Sequence, residues 1–133
     1  MKLLKDILYK TRLEQVVGST NTAIEHIAFD SREVQPMSLF VAIKGTRSNG
    51  HDHIPNAIKA GATAVVCEAL PADLKPGVTY VRVADAQHAL AIMACNFHGD
   101  PSAALKLVGI TGTNGKTSIA TLLYKLFRSL GHK

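Results

Sequence analysis

The feature that most constrains the fold of this chain is an apolar segment that runs directly into a glycine-rich turn. The turn has the sequence Gly-Thr-Asn-Gly-Lys-Thr over residues 112–117. The apolar residues 105–111 predict a buried strand before it, and the amphipathic run from Ser118 to Leu130 predicts a helix after it. A strand that leads through such a turn into a helix is typical of sites that bind the phosphates of a nucleoside triphosphate.

Each residue type in this turn has a physical role toward a polyphosphate. The two glycines let successive backbone N–H groups curve around phosphate oxygens, and the following helix directs the positive end of its dipole to the same place. Lys116 is placed to neutralise the β- and γ-phosphates, and the Thr117 hydroxyl to bind Mg²⁺. We therefore predict Lys116 as the catalytic residue of an ATP site made by Gly112, Thr113, Asn114, Gly115, Lys116, Thr117 and Ser118.

The loop is a shorter variant of the common phosphate-binding pattern, whose first glycine would stand at Ile110. The alternative interpretation is a glycine-rich turn that only caps a helix. The predicted strand before the turn and the predicted helix after it favour the nucleotide site.

Composition and charge exclude several classes of protein. Hydrophobic residues make up 47% and charged residues 19%, which is typical of a folded globular chain. No apolar run is long enough for a membrane span, and charges interrupt the apolar residues of the N-terminus, so we expect a cytoplasmic protein. The net charge of +5 suits small polyanions, because the basic residues are scattered and Trp is absent, which argues against nucleic acid.

The cysteines and four of the histidines are expected to have ordinary structural roles. Cys67 and Cys95 lie on apolar segments, which predicts buried reduced thiols and neither a disulfide nor a metal site. No histidine spacing indicates zinc. We expect polar surface positions for His51, His53, His88 and His98.

The pattern of apolar residues predicts an α/β fold in two parts. Predicted helices span residues 2–11, 55–60 and 86–97, the last capped by Asp85, and predicted strands span 24–30, 38–43, 62–67 and 80–83. Gly99 to Ser102 form the strongest boundary signal, which predicts a first domain over residues 1–100 and a second over 101–133. The second would hold one strand, the phosphate loop and one helix, too little to bury both faces of a parallel strand, so we expect a truncated central domain.

Many further positions match the pattern of one enzyme family. They are Asp30-Ser31-Arg32, Leu39-Phe40-Val41-Ala42, Gly45, Gly50-His51, Ile54, Ala57, Gly61-Ala62, Ala64-Val65-Val66 and Gly109 to Ser118. On these residues the sequence resembles the N-terminal part of the Mur ligases, ATP-dependent enzymes that extend the peptide of the peptidoglycan precursor. Within the family it most resembles the members that add a diamino acid.

The resemblance implies a small N-terminal α/β domain that binds the UDP end of a UDP-N-acetylmuramoyl peptide. Carried over by position, it assigns this binding to Phe29, Ser31, Thr46, Arg47 and Ser48. A Ser hydroxyl can serve a uracil or ribose, and Arg47 can donate charge-assisted hydrogen bonds to a pyrophosphate. The alternative for Asp30-Ser31-Arg32 is a turn at a strand end, closed by an Asp–Arg pair.

The resemblance also implies a reaction. ATP phosphorylates a carboxyl of UDP-N-acetylmuramoyl-L-alanyl-D-glutamate, and the amine of meso-diaminopimelate or L-lysine attacks the acyl phosphate to form an amide. The implied partners are these small molecules, ATP and Mg²⁺, with no nucleic acid and no membrane, and we expect a monomer. Because the family's remaining catalytic residues lie beyond the phosphate-loop helix, we expect the 133-residue chain alone to be inactive.

Two other functions remain open at this point. One is a related ligase that adds D-alanyl-D-alanine. The other is a non-catalytic module that binds a UDP-sugar.

Overall fold

The structure, a computed structural model, describes residues 1–46 and 48–132, with only the backbone at Ser102. The chain divides into two compact units, Met1–Ser102 and Ala103–Lys133. Each unit has its own architecture.

The first unit is built around a five-stranded mixed sheet. The described residues of this unit form seven strands: β1 (Lys2–Leu3), β2 (Gln15–Val17), β3 (Ala23–Ile24), β4 (His26–Ala28), β5 (Ser38–Val41), β6 (Ala62–Cys67) and β7 (Thr79–Arg82). The main sheet has the order β2-β7-β6-β5-β4, in which β4 to β7 run parallel and β2 pairs antiparallel with β7. A separate antiparallel pair joins β1 to β3. The carboxyl ends of four parallel strands therefore lie along one edge of the sheet.

Helices cover both faces of this sheet. These helices are α1 (Leu4–Ile7), α2 (Ile54–Lys59) and α3 (Ala86–His98). The second unit contains α4 (Lys116–Ser129), and short 3₁₀ helices lie at Gly50–His53 and Pro101–Ala104. Within the described residues, none of these helices has both the length and the apolar character to cross a membrane.

The core has two layers because successive side chains of a strand point to opposite faces. On one face, strand residues pack with α1 and α3, and the buried set includes Leu4, Ile7, Leu39, Val41, Ala64, Val66, Val81 and Met93. On the other, they pack with α2, and the set includes Phe40, Ile54, Ala57, Val65, Cys67 and Tyr80. Cys67 is a free thiol whose pKa burial raises to about 11, and Cys95 is free and half-buried.

The N-terminal third departs from the sequence prediction. The helix predicted over residues 2–11 has only the four residues of α1, because Lys2 and Leu3 pair with β3 and Lys10 takes a left-handed φ of 61°. The single strand predicted over 24–30 is two strands in different sheets, separated where the Glu25 N–H donates to the Met37 carbonyl at 2.9 Å. Strand β2 was not predicted. These short elements depend on tertiary partners.

The later elements of the first unit follow the prediction. Strand β6 spans the predicted residues, and α2 and β7 differ from it by a residue or so. Helix α3 begins after Asp85, whose side chain accepts from the His88 N–H at 2.9 Å, and ends at Gly99 with φ 79°. The predicted α/β fold is confirmed.

The second unit contains the predicted helix but not the predicted strand. Residues 105–111 form no strand, and Leu105, Leu107 and Val108 are 63%, 78% and 59% exposed. A strand needs the backbone groups of a neighbour, and the described residues of this unit contain no other strand. The apolar side of α4 consequently stays largely uncovered, with Leu122 67% and Leu126 51% exposed.

Candidate functional site

A cavity of about 770 Å³ lies in the first unit, where the chain leaves β4 and β5. Loops after the carboxyl ends of parallel strands are the usual position of ligand sites in α/β sheets. Residues that follow β4, residues that follow β5 and the start of α2 form its walls. They are Phe29, Asp30, Ser31, Arg32, Ile43, Gly45, Ser48, Gly50, His53 and Asn56.

The segment after β4 is a tight turn closed by an ion pair. The Arg32 Nε donates to both Asp30 carboxylate oxygens, at 2.9 and 3.1 Å, and the Arg32 backbone N–H donates to the same carboxylate at 2.9 Å. These hydrogen bonds, with a smaller contribution from His53, lower the pKa of Asp30 to about 2. The predicted alternative, a turn closed by an Asp–Arg pair, is therefore present, and Ser31 lies between the paired residues at the cavity wall.

Three of the five residues predicted to contact the UDP end line this cavity. Phe29 is 61% exposed beside Ser31, and Ser48 approaches from the loop after β5. Thr46 is exposed and is not among the described residues that line the cavity. Arg47 lies outside the described residues, so its predicted role stays a prediction.

The loop after β5 is closed at its base by backbone hydrogen bonds. Lys44 and Asn49 form an antiparallel bridge, the Gly45 N–H donates to the Ser48 carbonyl at 3.0 Å, and the Gly50 N–H donates to the Ile43 carbonyl at 2.8 Å. A Cβ at Gly50 would lie 2.7 Å from backbone atoms of Ile43, closer than any real contact. Glycine is required here for the end of the loop to pack against the segment that follows β5.

Several cavity residues were not among the sequence predictions. They are Ile43, Gly45, Gly50, His53 and Asn56. The expectation that His51 and His53 are ordinary surface residues is wrong, because both are half-buried, His53 lines the cavity and both ring nitrogens of His51 have partners. Two histidines two residues apart, just before the start of the predicted helix over 55–60, were the available signal.

In the second unit, the glycine-rich turn leads directly into α4. Gly112 has φ 146° and Gly115 has φ 76°, conformations that favour glycine. The Lys116 Nζ donates to the Gly112 carbonyl across the turn. The lysine side chain therefore already reaches back over the loop that it is predicted to serve.

The first turn of α4 presents the predicted ATP-binding groups to solvent. The first intrahelical bond runs from the Ile119 N–H to the Gly115 carbonyl at 3.0 Å, so the preceding N–H groups have no partner within the helix. Thr113, Asn114, Thr117 and Ser118 are exposed. Together with the ammonium of Lys116, these groups form a positive end suited to an anion.

The residues present fit Mg²⁺ only as a partner of the nucleotide. The described part of the chain has no cluster of three or more acidic, His or Cys residues that could hold a metal. The exposed Thr117 hydroxyl offers one oxygen ligand, and phosphate oxygens and water would supply the others.

Comparison with known proteins gives the family. The sequence matches the Mur ligase family, catalytic domain, over residues 23–98. The chain belongs to the Mur ligase family. The predicted family resemblance is thereby confirmed.

Members of the Mur ligase family with close sequence similarity carry a specific name. The UDP-N-acetylmuramoyl-L-alanyl-D-glutamate--2,6-diaminopimelate ligase of Bacteroides fragilis is 49% identical over 98% of this chain and 27% of its own length. The ligase of the same name from Cytophaga hutchinsonii is 50% identical, again over 98% and 27%. This Mur ligase chain thus spans about a quarter of the length of these relatives.

Solved Mur ligase structures share the fold. The MurF ligase from Thermotoga maritima in complex with ADP has a TM-score of 0.56 at 32% identity, over 81% of this chain and 24% of its own. The UDP-N-acetylmuramoylalanyl-D-glutamyl-2,6-diaminopimelate--D-alanyl-D-alanyl ligase from Acinetobacter baumannii has a TM-score of 0.63, over 96% of this chain and 28% of its own. Its 23% identity supports the fold alone.

Proposed function

We propose that this chain forms the N-terminal region of an ATP-dependent ligase that joins a diamino acid to UDP-N-acetylmuramoyl-L-alanyl-D-glutamate. The observation that carries the proposal is the identity of about half with two diaminopimelate ligases across 98% of this chain. Diaminopimelate is the favoured diamino acid for the same reason, with L-lysine as the alternative.

The proposed site for the UDP end is the cavity after β4 and β5. Its Ser31 and Ser48 hydroxyls can bind a ribose or a pyrophosphate, and the exposed ring of Phe29 can cover an apolar part of the nucleotide. Thr46 and Arg47 belong to this proposal by family position. The cavity combines apolar walls with a few polar groups, as nucleotide sites usually do.

The proposed site for ATP is the loop and helix start over residues 112–118. Phosphoryl transfer needs positioning and charge neutralisation more than covalent help from the protein. In this scheme, Lys116 exchanges the Gly112 carbonyl for a phosphate oxygen, and the N–H groups at the start of α4 hold the polyphosphate. Mg²⁺, with Thr117 as one ligand, supplies further charge neutralisation when bound. The acyl phosphate formed on the substrate carboxyl is then attacked by the amine of the diamino acid.

The 133 residues alone are proposed to bind nucleotides without turnover. The described part of the chain has no cluster of three or more acidic, His or Cys residues that could hold a metal. Because the proposed substrates are nucleotides, we propose that the reaction takes place in the cytoplasm, and we propose a monomer without nucleic-acid or membrane partners.

Calorimetric titration with two variants tests both sites in one experiment. Lys116→Ala should weaken binding of Mg-ATP by about tenfold or more, because a charge-assisted hydrogen bond contributes about 1.5–3 kcal/mol, and should leave UDP affinity unchanged. Ser31→Ala should weaken UDP binding and leave the affinity for Mg-ATP unchanged. Lys125→Ala, an exposed change on the same helix as Lys116, is the matched control and should alter neither. Equal ATP affinity in wild type and Lys116→Ala would contradict the proposed ATP site.

A substrate comparison separates the proposed reaction from the related ligase. A full-length ligase that contains this chain should form product with diaminopimelate or L-lysine and none with D-alanyl-D-alanine. The likeness to the Thermotoga MurF ligase supports D-alanyl-D-alanine as the second candidate. A non-catalytic UDP-sugar module would bind UDP in the first unit, and Lys116→Ala would leave this binding, its whole function, unchanged.

A further inference from the structure

His51 connects the loop after β5 to the loop after β6. Its Nδ1 lies 2.8 Å from the Asn49 Oδ1. Its Nε2 accepts from the Glu68 N–H at 2.9 Å and lies 3.4 Å from the Ala69 nitrogen, which also donates to it. One imidazole ring thus bridges two segments that are seventeen residues apart in sequence.

The hydrogen bonds fix the protonation of this ring. The Asn49 atom is an oxygen, because it also accepts from the His51 backbone N–H at 3.1 Å, and an amide NH₂ could not. Nδ1 must therefore carry a proton and donate. Nε2 faces two backbone N–H groups and must be an unprotonated acceptor. The geometry accommodates the neutral Nδ1–H tautomer and no other form.

The connection continues on both sides of His51. Asn49 forms the bridge with Lys44 that closes the loop carrying Ser48 into the cavity. On the other side, the Glu68 carboxylate accepts a hydrogen bond at 3.0 Å from the N–H of Ala86, which is the first residue of α3. The cavity loop is therefore tied through His51 and Glu68 to the long helix of the first unit.

We infer that His51 is a positioning residue that holds the described residues of the loop after β5, 44–46 and 48–50, in the form that binds the UDP end of the substrate. The inference rests on the proposed function and adds a residue outside the cavity lining to it. The loop is exposed from Lys44 to Thr46, and its described residues belong to neither buried core cluster, so its shape depends on hydrogen bonds at its base. Loss of the His51 connection should release the loop while the sheet stays folded.

Three variants distinguish the contact of His51 with Asn49 from its contact with the Glu68 N–H. His51→Gln places an amide oxygen near the position of Nε2 and keeps an acceptor for Glu68, whereas His51→Asn keeps a donor toward Asn49 and loses that acceptor. His51→Ala loses both. His88→Ala is the matched control, because His88 is exposed and its side chain lies outside these contacts.

The measurements are UDP affinity by calorimetry and the amide and imidazole signals by ¹⁵N NMR, on the 133-residue chain. We expect His51→Ala to weaken UDP binding at least tenfold and to shift the Glu68 and Ala69 amides, with the amides of β6 unchanged. His51→Gln should recover most of the affinity, and His88→Ala should match wild type. The wild-type ring should show a protonated Nδ1 and an unprotonated Nε2.

Two results would overturn the inference. One is wild-type UDP affinity in His51→Ala, and the other is an Nε2–H tautomer in the wild-type ring. Should His51→Ala fail to fold, His51→Asn and His51→Gln give the same comparison with smaller changes. A wild-type chain that binds no UDP would instead overturn the proposed UDP site, and the tautomer and the two amide shifts would then decide whether His51 holds the loop.

Discussion

At the scale of single residues, Asp30 gives a test at acid pH. Its pKa of about 2 lies below the ordinary 3.8, because the Arg32 side chain and backbone donate to the carboxylate. A lowered folded-state pKa means that the unfolded chain binds the proton more tightly. The ion pair therefore contributes stability above about pH 4, and the contribution is lost as the pH falls toward 2.

We expect Asp30→Asn to be less stable than wild type at pH 7 and the difference to shrink as the pH falls below 4. Denaturant unfolding of both proteins between pH 7 and pH 2.5 measures this. Asp73→Asn, which removes an exposed carboxylate paired with Lys75, serves as the control for general charge effects. A difference that stays constant over this range would show that the ionised Asp30 carboxylate does not stabilise the folded state.

Gly50 gives a second test at this scale. An added Cβ would meet the Ile43 backbone at 2.7 Å, and backbone in a strand connection cannot move aside cheaply. We expect Gly50→Ala to lower the free energy of unfolding by about 1–3 kcal/mol, the usual cost of overpacking, and to weaken UDP binding. Gly109→Ala, which adds its Cβ in open space, is the control. Unchanged stability in Gly50→Ala would mean that Gly50 does not pack against the Ile43 backbone.

At the scale of elements, the start of α3 depends on one side chain. Asp85 accepts from the His88 N–H at 2.9 Å, so it satisfies a helix donor that otherwise lacks a partner. We expect Asp85→Ala to lower the free energy of unfolding by about 1 kcal/mol. Asp85→Ser should keep most of the stability of the wild type, because a Ser hydroxyl can also cap the helix. Thermal and denaturant unfolding measure the difference. Equal losses in Ala and Ser variants would place the role of Asp85 elsewhere.

The elements that could be predicted from the sequence are those specified by their own residues. The continuous apolar run of β6, the Asp85 cap and Gly99 at the end of α3 act locally, and the structure has all three. Strand β2 exists because Val16 pairs with Val81, sixty-five positions away, and no local pattern reports that. The apolar run 105–111 has the local pattern of a strand without a partner to pair with.

The same distinction applies to the site. Ser31 could be named in advance because it stands in a motif, whereas His53 and Asn56 reach the cavity only through the folding of α2 and the turn before it. The glycine-rich turn and the helix after it could be predicted because the glycines, the lysine and the helix are adjacent in sequence, while the phosphate-binding role of the turn stays a prediction. His51 was misassigned because its partners, the amides after β6, follow it by seventeen residues or more.

At the scale of the whole molecule, the two units should differ in local stability. Helix α3 buries Ala86, Ala89 and Met93 against the sheet, whereas the structure gives α4 no buried residue. Opening of a helix that buries little apolar surface costs little free energy.

Hydrogen exchange on the 133-residue chain measures this difference. We expect the amides of α4 to exchange much faster than those of α3 and β6. Equal protection of α3 and α4 would show that α4 has a packing partner. Leu90 and Leu123, half-buried on α3 and α4 respectively, offer matched sites for Leu→Ala variants, and only Leu90→Ala should lower the cooperative unfolding midpoint.

The self-closed base of the loop over residues 44–50 has a consequence for protein engineering. Because the Lys44–Asn49 bridge and the Gly50–Ile43 hydrogen bond pin both ends of the loop, its tip can be exchanged between homologous proteins without redesign of the sheet beneath. Libraries confined to the tip would then test which of its side chains set the nucleotide preference of the proposed UDP site.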